Sequence, residues 1–191
     1  MEYKIFFGYM AVLVEFISYF VYLHSIYKGH TKPHAFTWFV WAILNVVGFA
    51  AVLVAGGEAG SWVLGVNAIA CFAIAGVGFY QRHVDYDLYD WLALFGGLFG
   101  TFLWWFTKNP LYAVILVSLS DCLAFSLTIR KAYKFPLEEN VSSFAAGILY
   151  YILAIIALEN YSVTTWLYHA VIILLDATLV ATILIRRKTI F

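Results

Sequence analysis

Three carboxylates lie near the middle of long apolar segments: Glu15, Asp121 and Asp176. An ionisable side chain at the centre of a lipid bilayer is costly, so a functional site is its default explanation. The sequence offers no lysine or arginine at the same depth, and burial disfavours the charged form of an unpaired acid. We therefore predict that these acids carry protons or line a site. The alternative is a static hydrogen bond from a neutral acid to a hydroxyl or a backbone carbonyl.

A stripe of aromatic and amide side chains occupies the second apolar segment. Trp38, Trp41 and Asn45 lie at i, i+3 and i+7, which places them on one face of a helix. Indole rings stack on flat ligands and a carboxamide orients them, so this face is predicted to bind a small polar solute. For Trp38 the alternative is an interfacial position near the end of the segment. Asn67, in the third segment, is a second carboxamide expected to be buried.

Two further residues complete the predicted substrate-binding set. Tyr150 shares a helical face of the sixth segment with Gly147. His169 lies seven residues before Asp176 in the seventh segment, on the same helical face. We predict that Tyr150 and His169 line the same cavity as the stripe of the second segment.

The composition indicates the surroundings of these residues. Hydrophobic residues make up 64% of the 191 and charged residues 12%, against about half and about a quarter in soluble domains. That much apolar surface does not fit inside one soluble core, so a lipid bilayer is the expected solvent. The formal net charge of zero gives no reason to expect a nucleic-acid partner. Seven stretches approach the roughly 20 residues that a spanning helix needs and are too continuously apolar for barrel strands: roughly 5–27, 36–55, 61–80, 91–107, 110–130, 141–158 and 163–185.

The chain also repeats itself. A shift of 106 positions places Glu15 on Asp121 and Lys28 on Lys134. We predict an all-α membrane protein with two parallel three-helix bundles, residues 1–83 and 109–191, joined by a linker helix at 84–108 (a 3+1+3 plan). Duplicated units of this kind are typical of transporters whose substrate site lies between the repeats.

The basic residues predict the orientation. Lys4 and Lys108 belong to one side of the predicted membrane layer, and the other nine of the 11 lysines and arginines belong to the opposite side. Because short cytoplasmic loops are rich in these residues, we predict an inner (plasma) membrane protein with its N-terminus outside and its C-terminus in the cytoplasm.

Seven helices in a 3+1+3 plan with an external N-terminus resemble the SWEET sugar transporters and the wider PQ-loop group. The segment Leu64-Gly-Val-Asn67-Ala-Ile-Ala-Cys71 is similar to the third-helix asparagine segment of SWEETs, which implies that Asn67 and Trp38 or Trp41 contact substrate. The segment from Trp38 to Asn45 is also similar to the WxxWxxxN motif of PnuC-type vitamin-precursor transporters, although there the motif lies in the second bundle. The Pro-Gln dipeptide is absent from the first and fifth segments.

These patterns favour a transporter that works by alternating access and is coupled to protons. Its predicted partners are the bilayer, protons and a small polar solute: a sugar, an amino acid or a vitamin precursor. The alternatives are a ligand-binding receptor of the same fold, or a channel or facilitator without proton coupling. The sequence shows neither a paired nucleophile and base nor a metal motif, so we predict no enzymatic activity, no metal and no cofactor. Oligomerisation is left open.

Overall fold

The protein is all-helical, as predicted. The computed structural model describes residues 2–81, 86–107 and 109–190, and these residues form seven α-helices. The predicted boundary at residues 83–84 and two residues of the charge count, Arg82 and Lys108, lie outside the described residues. The helices are α1 (Glu2–Tyr27), α2 (Ala35–Val54), α3 (Trp62–Gln81, after a 3₁₀ turn at Glu58–Ser61), α4 (Leu88–Thr107), α5 (Pro110–Lys134), α6 (Val141–Ala157) and α7 (Val163–Ile190).

The lengths of these helices suit a membrane. In the described part of the chain, α1, α2, α3 with its preceding turn, α5 and α7 are long and apolar enough to cross a bilayer. Helix α6 is apolar but has 17 residues, a rise of about 26 Å at 1.5 Å per residue. The prediction of a membrane protein is confirmed at this level.

Equivalent residues start the second helix of each repeat. The side chain of His34 accepts the backbone N–H of Thr37 at the start of α2, and Asn140 accepts that of Ser143 at the start of α6 at 3.1 Å. Burial lowers the pKa of His34 to about 4, so its ring is neutral at physiological pH and can accept this bond. His34 and Asn140 are 106 positions apart, as are Thr37 and Ser143, so the repeat extends to the helix caps.

The helices pack in the same order in both halves of the chain. Helix α3 packs against α1 and α2, and α7 packs against α5 and α6, whereas in the described residues the backbones of α1 and α2, and those of α5 and α6, do not approach closely. Across the halves, α1 packs against α6 and α2 against α5, while α4 lies against α5 and α2. Exchanging the two halves therefore reproduces the same set of neighbours.

A reciprocal pair of hydrogen bonds connects the two halves. The hydroxyl of Thr37 donates to the carbonyl oxygen of Ala124 at 3.4 Å, and that of Ser143 donates to the carbonyl oxygen of Ser18 at 3.2 Å. Thr37 and Ser143 are repeat mates, as are Ser18 and Ala124. The same contact thus occurs twice, at positions 106 apart in the chain.

One end of the helix bundle, here the basic end, carries the α1–α2 loop, the α5–α6 loop and the end of α7. Lys131 and Glu139 form an ion pair at 2.6 Å with side-chain exposures of 8% and 1%. Lys32 pairs with its repeat mate Glu138, and Arg187 donates to the carbonyl oxygen of Glu139 at 2.8 Å. The Lys32–Glu138 pair joins the two halves, and the other two contacts hold the α5–α6 loop at the basic end.

The opposite end, here the N-terminal end, is closed by packing. Gly60, in the turn before α3, lies so close to α6 that a Cβ atom would be 2.8 Å from the carbonyl oxygen of Ala154. Lys4 donates to the carbonyl oxygen of Glu159 at 3.0 Å. Both ends of the bundle are therefore closed around its interior.

Candidate solute-binding cavity

A cavity lies between the two halves and is lined by residues of every described helix except α4. It has a volume of about 40 Å³, enough for a few water molecules and far below the several hundred Å³ of a drug-sized ligand site. Seven of the nine predicted site residues line it: Trp38, Trp41, Asn45, Asn67, Asp121, Tyr150 and Asp176.

Repeat mates line the cavity in pairs. Tyr19 of α1 corresponds to Phe125 of α5, and Trp38 of α2 corresponds to Phe144 of α6; all four line the cavity. The cavity therefore lies on the interface that relates the two halves.

An aromatic cluster forms one side of this cavity. The ring centroids of Trp41 and Phe125 are 4.5 Å apart, those of Trp38 and Trp41 are 5.0 Å apart, and those of Tyr22 and Trp38 are 4.8 Å apart. Such rings offer π faces to a flat or positively charged group. Trp38 is 4% exposed, so its ring packs within the cluster.

Acidic side chains give the cavity its charge. Asp121 and Asp176 line it, with 1% and 4% of their surface exposed. Glu15, the repeat mate of Asp121, is fully buried but is not among the lining residues. Among the described residues, neither oxygen of the Glu15 carboxylate has a hydrogen-bond partner, and Oδ1 of Asp121 has none. Because an unpaired buried charge is strongly unfavourable, these acids are neutral or receive a positively charged partner.

A glycine makes room for one of these acids. Gly147 of α6 is the repeat mate of Trp41, and a Cβ atom built on it would overlap the carboxylate of Asp176. The space that an indole fills in the first half is thus filled by a carboxylate of α7 in the second. The lining of the cavity is therefore asymmetric although the chain repeats.

The two carboxamides have different surroundings. Asn67 accepts from the Tyr19 hydroxyl and from Cys71 Sγ at 3.1 Å, and its Nδ2 donates to the Tyr151 hydroxyl. Asn45 donates from Nδ2 to the carbonyl oxygen of Trp41 at 2.8 Å, within its own helix. Oδ1 of Asn45 has no partner among the described residues. Asn67 therefore joins three helices, whereas Asn45 offers a free acceptor to the cavity.

This difference predicts separate effects of two substitutions. Asn67→Ala is expected to lower the unfolding temperature, because each buried partner left unpaired costs about 1–3 kcal/mol. Asn45→Ala is expected to leave that temperature near the wild-type value and to weaken solute binding. Thermal unfolding of both variants in one detergent, with solute titrations, measures the two effects. Equal destabilisation by both substitutions would contradict the assignment.

The predicted site residue His169 lies apart from the cavity lining. Its Nδ1 is 3.1 Å from the carbonyl oxygen of Thr165 and its Nε2 is 3.0 Å from that of Gly60. The ring is fully buried and connects α7 to the turn before α3. The geometry thus gives His169 a contact that helps to close the N-terminal end, and its predicted role in substrate binding stays a prediction.

Several lining residues were absent from the predicted set. A signal for two of them was present, because Phe144 and Tyr151 are the repeat mates of Trp38 and Asn45. The remaining ones carry no motif and lie on the inner faces of their helices; they are Ser18, Tyr19, Tyr22, Phe125, Ser143 and Ile172.

No protein-family model, curated protein or solved structure matches this chain. The support for its function therefore comes from the cavity and from the repeat.

Proposed function

We propose that this chain is a multi-pass membrane transporter that moves a small polar solute by alternating access between its two halves. The observation that carries the proposal is the cavity of repeat-mate residues, which holds the buried carboxyl groups of Asp121 and Asp176, the former with an unpartnered oxygen among the described residues, and lies between two closed ends. A site at the interface of repeats is where secondary transporters bind their substrates.

The 3+1+3 plan belongs to this proposal. Its support is the equal packing order of α1–α3 and α5–α7 and the reciprocal hydrogen bonds of Thr37 and Ser143. On this plan, residues 1–83 and 109–191 move as units and 84–108 connect them. Three helices in each unit require the linker helix α4 if both units are to have the same direction.

Alternating access follows from the size of the cavity and from the contacts at its ends. A volume of about 40 Å³ leaves no room for a sugar or an amino acid in this conformation. The basic end is held by ion pairs and the N-terminal end by close helix packing. Rocking of the two units about the cavity would open one end while the other stays closed.

The proposed orientation places the basic end in the cytoplasm and the N-terminus outside, in the inner (plasma) membrane. Its support is the sequence distribution of the 11 lysines and arginines, nine of which are predicted to lie on one side; all of the described ones except Lys4 lie at the basic end. An active alkaline-phosphatase fusion at the C-terminus would contradict it.

The buried acids would couple transport to protons. Each lies within a helix and, among the described residues, Glu15 and Asp121 have unpartnered oxygens. A carboxyl group that takes up a proton while one end is open and releases that proton while the other end is open carries it in the same direction as the solute or in the opposite direction. Asp176 is in electrostatic range of Asp121, so the two would titrate as a pair.

The test is solute flux into liposomes that contain the purified protein. A thermal-shift screen of sugars, amino acids and vitamin precursors first identifies a stabilising solute. We expect that solute to enter saturably, faster under a pH gradient, and Asp121→Asn and Glu15→Gln to abolish the gradient-driven part. The control Glu2→Gln makes the same chemical change at an exposed carboxylate and should leave flux unchanged.

Two outcomes would contradict this proposal in different ways. If flux is saturable and neither acid substitution changes it, the acids have a structural role and the protein is a facilitator. Binding without any flux would make it a receptor.

A further inference from the structure

We infer that the cavity takes a small organic cation that carries N–H groups, in preference to a neutral sugar or an anion. This inference rests on the proposed function of the cavity and names the chemical class of its solute. Three features of the lining support it: its charge, its aromatic rings and its free hydrogen-bonding atoms.

The described lining holds carboxyl groups and no basic side chain. Asp121 and Asp176 line the cavity, and its described lining holds no lysine, arginine or histidine. The cations nearest in sequence to these acids are at the basic end, where Arg130 pairs with Asp87 and Lys131 with Glu139. An anionic solute would therefore meet two carboxyl groups and no counter-charge, whereas a cation would relieve the cost of their ionisation.

The aromatic cluster favours the same charge. Trp41 and Phe125 are in contact, with ring centroids 4.5 Å apart, and Trp38 and Phe144 complete this side of the lining. A desolvated cation over such ring faces is attracted by the negative potential of the rings. A sugar could also stack on these rings, so the rings alone do not separate the two classes.

The free hydrogen-bonding atoms also suit N–H donors, while the separation from a sugar rests on the two carboxyl groups of the lining. Asn45 and Asp121 are 3% and 1% exposed, and each has an oxygen without a partner among the described residues. One N–H of the Asn45 amide donates to the carbonyl oxygen of Trp41. The lining thus presents free acceptors for N–H donors, while the indole N–H of Trp41, which lies near the Asp121 carboxyl group, can donate to an oxygen atom of the same solute.

Binding of a cation should compete with binding of a proton. The cation needs an ionised carboxylate, so a proton must leave Asp121 or Asp176 for the solvent when the cation enters. Alternating access would then exchange the cation for protons. The other titratable groups around these two acids are acids or weak acids that add no positive charge: Glu15, Tyr19, Tyr22, Cys71, Cys122, Tyr150, Tyr151 and Tyr168.

Pairs of molecules with equal shape and different charge test this inference. The first pair is choline and 3,3-dimethylbutan-1-ol, and the second is ethanolammonium and ethylene glycol; glucose and glutamate serve as neutral and anionic references. We expect the cations to stabilise the full-length protein saturably in lipid nanodiscs, with ethanolammonium stronger than choline because it has N–H donors. Their neutral partners should be at least about tenfold weaker.

Two variants and a pH series complete the test. Asp121→Asn, or Asp176→Asn if the first does not fold, should weaken ethanolammonium binding at least about tenfold, and Glu2→Gln should not. In the wild type, affinity should fall as the pH is lowered, since protons occupy the carboxylates.

The inference is overturned if neutral partners bind as well as the cations, if glucose or glutamate binds better, or if neither cation has a saturable effect. Its failure is distinct from failure of the proposed function. Saturable flux of a neutral solute would support the proposed transporter function and contradict the preference for a cation. Selective binding of a cation without flux would support that preference and contradict the transporter function.

Discussion

Lys131→Met is expected to destabilise the protein by about 3–5 kcal/mol, because it leaves a buried carboxylate without its partner. The Lys131 ammonium is 2.6 Å from Oε1 of Glu139, whose side chain is 1% exposed. Among the described residues Oε2 of Glu139 has no other hydrogen-bond partner. The Lys131 ammonium also donates to the carbonyl oxygen of Lys32, so its loss loosens the contact between the two halves at the basic end. Thermal or denaturant unfolding in one detergent measures this change.

The matched control is Lys134→Met, which removes an exposed lysine from the same end of α5 and should change stability little. The double variant Lys131→Met/Glu139→Gln should recover most of the loss, since the uncompensated charge is then gone. If the double variant is as unstable as the single one, the loss is one of packing and not of charge.

The Lys131→Met defect should also depend on pH. Burial raises the pKa of Glu139 above its ordinary value of 4.5, and Lys131 opposes this shift. Without Lys131 the pKa rises further. A carboxyl group whose folded pKa exceeds its unfolded value stabilises the fold most at low pH, and that contribution is lost as the pH rises through the folded pKa. The difference between variant and wild type should thus be smallest in acid and grow toward neutral pH.

Gly147→Ala is expected to abolish most solute binding and to destabilise the protein by about 1–3 kcal/mol through overpacking. The added Cβ atom would overlap the carboxylate of Asp176 and force it from its place in the cavity lining. We expect at least about a tenfold loss of affinity, measured by thermal shift with the solute that the wild type binds.

Gly76→Ala is the matched control, because a Cβ atom there meets nothing within 4 Å. In that helix interior alanine is favoured over glycine by up to about 1 kcal/mol, so this variant should be neutral or slightly more stable. Gly147→Ala/Asp176→Ala should recover stability without recovering affinity. Unchanged affinity in Gly147→Ala would show that Asp176 takes no part in the site.

The repeat made part of the site predictable before any geometry was known. Because equivalent residues of a duplicated unit occupy equivalent places, the shift of 106 relates the caps His34 and Asn140 as well as the acids Glu15 and Asp121. Mean hydropathy and length were enough for the all-helical class and for helices that suit a membrane. Both properties are local, so they can be evaluated along a single segment.

The partners across the helices were decided by the tertiary structure. Asn67 forms a hydrogen bond with Tyr151, which lies 84 residues further along the chain. No helical spacing rule connects residues so far apart on different helices. Glu15 and Asp121 are equivalent in sequence, yet Asp121 lines the cavity and Glu15 is buried beside it. In lipid both faces of a helix are apolar, so hydropathy does not reveal the inner face. Which side chains share the cavity depends on the rotation of each helix against its neighbours, and packing alone sets that rotation.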